Sequence, residues 1–165
     1  MKFAYADPPY IGQARKHYTS EEVDHPALIA RLVDEFPDGW ALSLSSPTLK
    51  QVLAMCPEDV RVMAWVKPFA SFKPNVNPAY AWEPVIVRGG RRRTRQDLTV
   101  RDWVSANITL QRGLSGAKPE EFCFWLFAVL NANASDEIHD LFPGTRAVTK
   151  AWDKWCSQSV MEIAL

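Results

Sequence analysis

The chain has 165 residues, 47% hydrophobic and 23% charged, with 19 basic side chains balanced by 19 acidic ones. A chain of this size fits one compact domain that buries roughly two thirds of its unfolded surface, so neither a metal nor a disulfide is needed to hold a core. Zero net charge excludes a grip on nucleic acid by bulk electrostatics alone, and no apolar run reaches the ~18 residues of a membrane span.

Lys2 to Ala6 is a short apolar run stopped by Asp7-Pro8-Pro9, the pattern of a buried strand ending in a turn. Ile11 to His25 is polar and aperiodic, a loop. Pro26 opens a helix whose Leu28, Ile29, Leu32, Val33 and Phe36 recur at helical spacing. Gly39 ends it, and Trp40 to Leu44 is a strand. Ser46-Pro47-Thr48 starts a second helix to about Met55, followed by a strand over Val60 to Val66. Pro74 and Pro78 break the next segment into a loop before a strand over Tyr80 to Val87. Gly89 to Gly116 is polar and arginine-rich, with one short strand or helical turn near Leu98 to Val104. Pro119 starts an apolar helix to about Leu130, with Glu120 and Glu121 placed favourably in its first turn. Glu137 to Phe142 is expected as a strand, Thr145 to Trp155 as a helix and Ser159 to Leu165 as a last strand.

Strands alternating with helices of about ten residues predict an α/β, doubly wound sheet forming one domain over 1–165, which binds ligands beyond the carboxyl ends of its strands. Asp7 to Tyr10 and Phe142 to Thr145 both follow such ends. Cys56, Cys123 and Cys156 are odd in number and widely spaced, so they are expected as buried thiols in a reducing cytoplasm. No signal-peptide pattern opens the chain. His17, His25 and His139 show no metal-ligand spacing.

The tetrapeptide Asp7-Pro8-Pro9-Tyr10 carries the most chemistry. Methylating an exocyclic amine requires acceptors aimed at its N–H groups, because its lone pair is delocalised into the ring. A carboxylate and a rigid carbonyl can hold such an amine. Two prolines fix the backbone and remove competing N–H donors, and an aromatic side chain can stack on a base taken out of its helix. A proline turn with a packed tyrosine is the plainer alternative, but the preceding apolar strand Phe3-Ala4-Tyr5-Ala6 is the context the chemistry requires.

On these residues the sequence resembles the amino-group DNA methyltransferases, in which a D/N-P-P-Y/F/W motif forms the catalytic loop. The resemblance implies that Asp7 and the Pro8 carbonyl, with Pro9 stiffening the turn, hold the adenine amine, and that Tyr10 stacks on the flipped base. An Asp at the first position looks more like the adenine-N6 enzymes than the cytosine-N4 enzymes. The expected fold is then the Rossmann-like methyltransferase sheet, in the cytoplasm of a bacterial or phage-infected cell.

The second constellation is Lys118-Pro119-Glu120-Glu121 before an apolar helix, then Asp140-Leu141-Phe142-Pro143-Gly144-Thr145 ending a strand. A strand, a glycine turn and a helix N-terminus bring backbone N–H groups close to a ligand. For S-adenosylmethionine those ligand groups are the methionine carboxylate and the ribose hydroxyls. Lys118 could supply positive charge for the carboxylate, while Asp140, Phe142, Gly144 and Thr145 form the turn. Glu162 is expected to end the next strand and accept from ribose hydroxyls. The combination resembles the cofactor segment of these methyltransferases. The order, catalytic motif first and cofactor motif last, resembles the β-type DNA methyltransferases and the MT-A70 family. Arg146 departs from the pattern, standing where the family has a glycine or small residue. The chain also ends at Glu162's segment, so whatever follows it in the family to cover the adenine ring is expected to be absent.

Arg88, Arg91, Arg92, Arg93 and Arg95 surround Gly89-Gly90. Alone, such a run is a solvated loop; among methyltransferase strands it becomes a phosphate-contacting segment. Lys67-Pro68 and Trp82-Glu83-Pro84 resemble recurring family positions, with Trp82 expected in the core. Phe69, Phe72 and Lys73 mix aromatics with a cation, as a base-contacting surface or as a packed flap. With no separate target-recognition domain, site preference is expected from loops 11–25, 69–78 and 89–116, or from a homodimer or partner chain. The expected substrate is DNA, with RNA as an alternative. The other readings are a catalytically silent nucleic-acid or protein interaction module and a different group-transfer enzyme on the same fold.

Overall fold

The computed structural model describes residues 1–12, 22–68, 76–108 and 117–163, with side chains through residue 158. The expectations for Phe69, Phe72, Lys73 and His17, most of loop 11–25, the end of loop 89–116 and the side chain of Glu162 lie outside the described residues.

In chain order the elements are β1 (Lys2–Ala6), α1 (His25–Glu35), β2 (Gly39–Ser43), a 3-10 turn (Ser46–Thr48) leading into α2 (Leu49–Leu53), β3 (Arg61–Val66), β4 (Trp82–Gly89), β5 (Trp103–Ser105), α3 (Glu120–Val129), β6 (Glu137–Asp140) and α4 (Ala147–Ile163). The strands form one sheet in the order β5-β3-β4-β2-β1-β6. Neighbours are parallel except β4, which runs against both β2 and β3. Strand β4 follows β3 in the chain and pairs with it antiparallel, so the chain doubles back there rather than crossing over.

Helices cover both faces. Alternation along β1 sends Phe3 and Tyr5 to one face and Ala4 and Ala6 to the other. Phe3 and Tyr5 join Phe122, Leu126 and Phe127 of α3 and Val148 and Ala151 of α4. Ala4 and Ala6 join Leu28, Ile29 and Leu32 of α1, Trp40 of β2 and Val52 of α2. Helix α1 begins where Asp24 caps it, accepting from the Ala27 N–H at 3.0 Å, with Pro26 in the first turn.

The expected last strand is not present. Residues 147–163 form one helix, because nothing between Ala147 and Ile163 is a glycine or proline, and Val148, Ala151, Trp152 and Trp155 recur at helical spacing against the α3 side of the core. Residue 162 therefore sits in a helix and does not end a strand. Of the thiols, only Cys123 is fully buried, and burial pushes it up to about 12; Cys56 and Cys156 are half-buried.

At the end of β4 the backbone passes close over the start of β2. The Gly90 N–H donates to the Asp38 carbonyl at 2.8 Å. A Cβ on Gly89 would stand 2.7 Å from that carbonyl oxygen, and Gly89 holds φ at +71°. Gly89→Ala is therefore expected to cost about 2–3 kcal/mol in urea unfolding, from left-handed strain plus the clash. A cost under about 0.5 kcal/mol would show that the crossing is loose.

Candidate functional site at the carboxyl edge of the sheet

Reversal of β4 decides what meets at one end of the sheet. The carboxyl ends of β1, β2, β3 and β6 and the beginning of β4 all lie along one edge. Strands β1 and β6 are parallel neighbours with Tyr5 opposite Asp140, and the Leu141 N–H donates to the Tyr5 carbonyl at 2.9 Å. The Asp7-Pro8-Pro9-Tyr10 turn and the Asp140-to-Thr145 turn therefore leave the sheet side by side. Pro8 is buried and Asp7, Pro9 and Tyr10 are partly exposed.

An alternating chain of charges runs across this edge. Asp7 pairs with the Lys118 ammonium (Oδ1 to Nζ, 3.0 Å), Lys118 also reaches Glu83 (Oε2, 3.2 Å), and Glu83 binds Lys67 through its other oxygen. The Tyr10 hydroxyl hydrogen-bonds Glu83 as well. Trp65 and Phe122 line the chain below: Lys67 and Lys118 stand 4.6 and 5.2 Å from the Trp65 ring centre, and Lys118 5.8 Å from that of Phe122. Just beneath, the Tyr5 and Ser43 hydroxyls share a buried hydrogen bond of 2.8 Å.

Burial raises the Asp7 carboxyl above the ordinary aspartate range, and nearby Glu83 raises it further; the Lys118 ammonium only partly offsets this. Burial would also raise Glu83, but Lys118, Lys67 and the Tyr10 hydroxyl outweigh it and hold that carboxyl below normal. Burial likewise opposes the charge on Lys118, yet Asp7 and Glu83 together hold its ammonium above the ordinary lysine range. Asp140 is raised by burial and by repulsion from Asp7, against an opposing hydrogen bond from the Phe142 N–H. Two carboxylates from adjacent strands thus face one region and repel each other, an arrangement that favours a cation between or beside them.

The expected Lys118 role changes accordingly. Its side chain is only 6% exposed and lies between two carboxylates of the protein, so a cofactor carboxylate would share its three donors with Asp7 and Glu83. Glu83 and Lys67 join the site although the sequence assigns them no role; their trace there is the resemblance of Lys67-Pro68 and Trp82-Glu83-Pro84 to recurring family positions. Trp82, expected in the core, is 39% exposed.

Beyond β6, Phe142 packs against the α1 side of the core and Gly144 is exposed with φ +42°. Arg146 holds φ at +58°, and its carbonyl accepts the Lys150 N–H that opens α4. A glycine meets that left-handed backbone without strain, whereas an arginine pays about 1 kcal/mol. Stability measured by Tm should therefore rank Arg146→Gly at or above the parent and Arg146→Val clearly below it, since a β-branched side chain tolerates this region worst. A reversed order would mean the turn relaxes.

The arginine cluster lies at the other end of the sheet. Gly89 pairs with Gly39 at the start of β2, so Arg88 to Arg95 leave β4 about 20 Å from Glu83, six strand residues away, and do not border the Asp7 edge. Arg91 binds Asp136 with two bonds of 2.6 and 2.8 Å, sharing that buried carboxylate with the Met1 ammonium at 2.7 Å. Arg88 pairs with Asp59, and Arg93 donates to the Leu98 and Ala128 carbonyls. Arg92 and Arg95 are exposed, with no ion pair or hydrogen bond to the described residues.

No protein-family model and no curated protein matches the chain. Among solved structures it is similar to the crystal structure of the M1.HpyAVI-SAM complex, with a TM-score of 0.58 and 16% identity, covering 93% of this chain and 77% of that one. At that identity the likeness shows the fold: a mixed α/β sheet of the Rossmann-like kind found in S-adenosylmethionine-dependent methyltransferases.

Proposed function

We propose that this chain is an S-adenosylmethionine-dependent methyltransferase acting on the N6 amine of adenine in DNA. The observation that carries the reading is the meeting of the Asp7-Pro8-Pro9-Tyr10 turn with the turn after β6 on adjacent parallel strands. The solved structure similar to it is a SAM complex, which supports the choice of cofactor.

The residues present fit that group. Asp7 and Asp140 crowd two carboxylates at one edge, each raised by burial and by repulsion from a neighbouring carboxylate, and a sulfonium or ammonium cation relieves such crowding. Asp140 and the backbone of Phe142, Gly144 and Thr145 would hold the cofactor, which when bound supplies an electrophilic methyl group. The chain's own residues do the rest. Asp7 accepts one amine N–H and the Pro8 carbonyl accepts the other, which turns the nitrogen lone pair out of conjugation. The Tyr10 ring stacks on the base while its hydroxyl, held by Glu83, fixes the ring's orientation. Lys118 favours the ionised form of the Asp7 carboxyl against its burial.

The test is incubation with methyl-labelled cofactor and unmethylated DNA, RNA or free adenosine in parallel. The reading expects label on N6 in DNA; label on RNA alone makes the chain an RNA enzyme, and no label on any acceptor refutes it. One observation favours a second reading, a silent relative: the strained arginine in the turn after β6. Calorimetry separates the two, because a silent relative that has lost the pocket takes up no cofactor.

A further inference from the structure

We infer that the sheet face formed by β3, β5 and the start of β4 is a stacking platform for a single-stranded stretch of nucleic acid leading to the candidate site. The inference rests on the nucleic-acid reading above and extends it to where the flanking strand lies.

Six large apolar side chains are exposed among the described residues, and four of them, Val62, Tyr80, Trp82 and Trp103, belong to β3, β5 or the approach to β4. Pairing registers put three on one face. Trp82 lies opposite Val66 and Trp103 opposite Ala64, and Val62, Ala64 and Val66 share one side of β3. The other side of β3 sends Met63 and Trp65 into the core. On the near side Val62, Trp82 and Trp103 stay 41, 39 and 42% exposed. A groove of about 580 Å³ runs between them, lined by Val62, Ala64, Val66, Trp82, Asp102 and Trp103.

The chemistry selects the occupant. Trp82 and Trp103 are two strand spacings apart, with β3 between them, and offset by two residues, about 12 Å, a span that an extended chain of two nucleotides covers. Indole rings of this exposure stack on any base, since every base has a π-face. One cation stands against the rings: the Arg101 guanidinium lies 5.4 Å from the Trp103 ring centre, while the exposed Arg61 at the start of β3 is paired with Asp102 at 3.9 Å. A duplex hides its base faces, so the platform suits an unpaired strand. The platform ends at the same carboxyl edge as the candidate site but on the other face of the sheet: Val66 precedes Lys67 and Trp82 precedes Glu83, and the ion pair of those two lies on the Trp65 side of β3. A strand seated on Trp82 reaches Tyr10 and Asp7 by passing over that edge.

Fluorescence anisotropy with a labelled twelve-nucleotide single strand and the matching duplex tests this. The intact chain is expected to prefer the single strand. Trp82→Ala and Trp103→Ala should each weaken it about 5- to 100-fold, while Trp103→Phe, which keeps a ring, stays near the parent. In transfer assays the alanine variants should raise KM for the long strand and leave kcat on free adenosine unchanged. Single-strand binding unaltered in the double alanine variant overturns the platform, as does a preference for duplex. So does loss of a dimer on sizing columns without loss of binding, which would make the face a contact between copies. If no acceptor is ever methylated but the tryptophan variants lose the single strand, the platform stands and the enzymatic reading falls. If transfer to the long strand proceeds in those variants with unchanged KM, the reading stands and the platform falls.

Discussion

Asp7→Ala is expected to lower kcat for methyl transfer about 10³-fold, the scale seen when a positioned polar group is removed from a reacting centre, without lowering Tm. Both halves follow from the surroundings of the carboxyl. Burial, with repulsion from Glu83, raises it above the ordinary aspartate range, so folding binds its proton more tightly than the unfolded chain does. The stability it contributes is fully present below the unfolded value and is lost as pH rises through the folded one. Wherever Asp7 is ionised it therefore opposes folding, and a neutral alanine removes that opposition. Asp7→Asn should fall between parent and alanine, because the amide oxygen still accepts one N–H. Equal activity in Asp7→Ala and the parent would remove Asp7 from the chemistry. A marked drop in Tm would mean that its pairing with Lys118 outweighs its burial.

The second expected result concerns the shared counterion. Lys118→Met leaves Asp7 and Glu83 facing each other without the ammonium that bridges them at 3.0 and 3.2 Å. Removing one partner from a buried ion pair costs about 3–5 kcal/mol. The lower end applies here, because Glu83 keeps Lys67 and the Asp7 side chain is 23% exposed. The effect on the pH–rate profile has a definite sign. Lys118 lowers the Asp7 carboxyl and Glu83 raises it. If Asp7 acts ionised, Lys118→Met moves the acid limb of kcat/KM to higher pH and Glu83→Gln moves it to lower pH. Shifts in the same direction, or none, would show that the limb belongs to another group. Glu83 itself is held below the ordinary glutamate range, its burial outweighed by Lys118, Lys67 and Tyr10. Its contribution to stability is therefore present above the unfolded value and is lost only as pH falls through the lowered one.

These two results hinge on different kinds of information. Asp7 was legible from its neighbours: an apolar run stopped by two prolines makes a strand and a rigid turn wherever it occurs. Glu83 was not. In sequence Trp82-Glu83-Pro84 only resembles a recurring family position, and that Glu83 meets Lys67 and Lys118 is set by which strands pair.

The sequence by itself determined the local elements. Periodicity locates α1 and α3 within a residue or two, prolines place their starts, and apolar runs mark β1, β2, β3 and β6. Such signals act within one or two turns of chain, which is why one residue string suffices to read them. They faltered at residues 159–163, where a short run was taken for a strand although the helix before it had nothing to stop it. Only the tertiary structure decided the rest. Reversal of β4 sent the arginine cluster to the far edge and brought Glu83 beside Lys67, Lys118 and Asp7. The partners in that ion chain come from four separate parts of the sequence. Their meeting is fixed by strand order and direction, which depend on the free energy of packing the whole sheet rather than on any neighbouring residue.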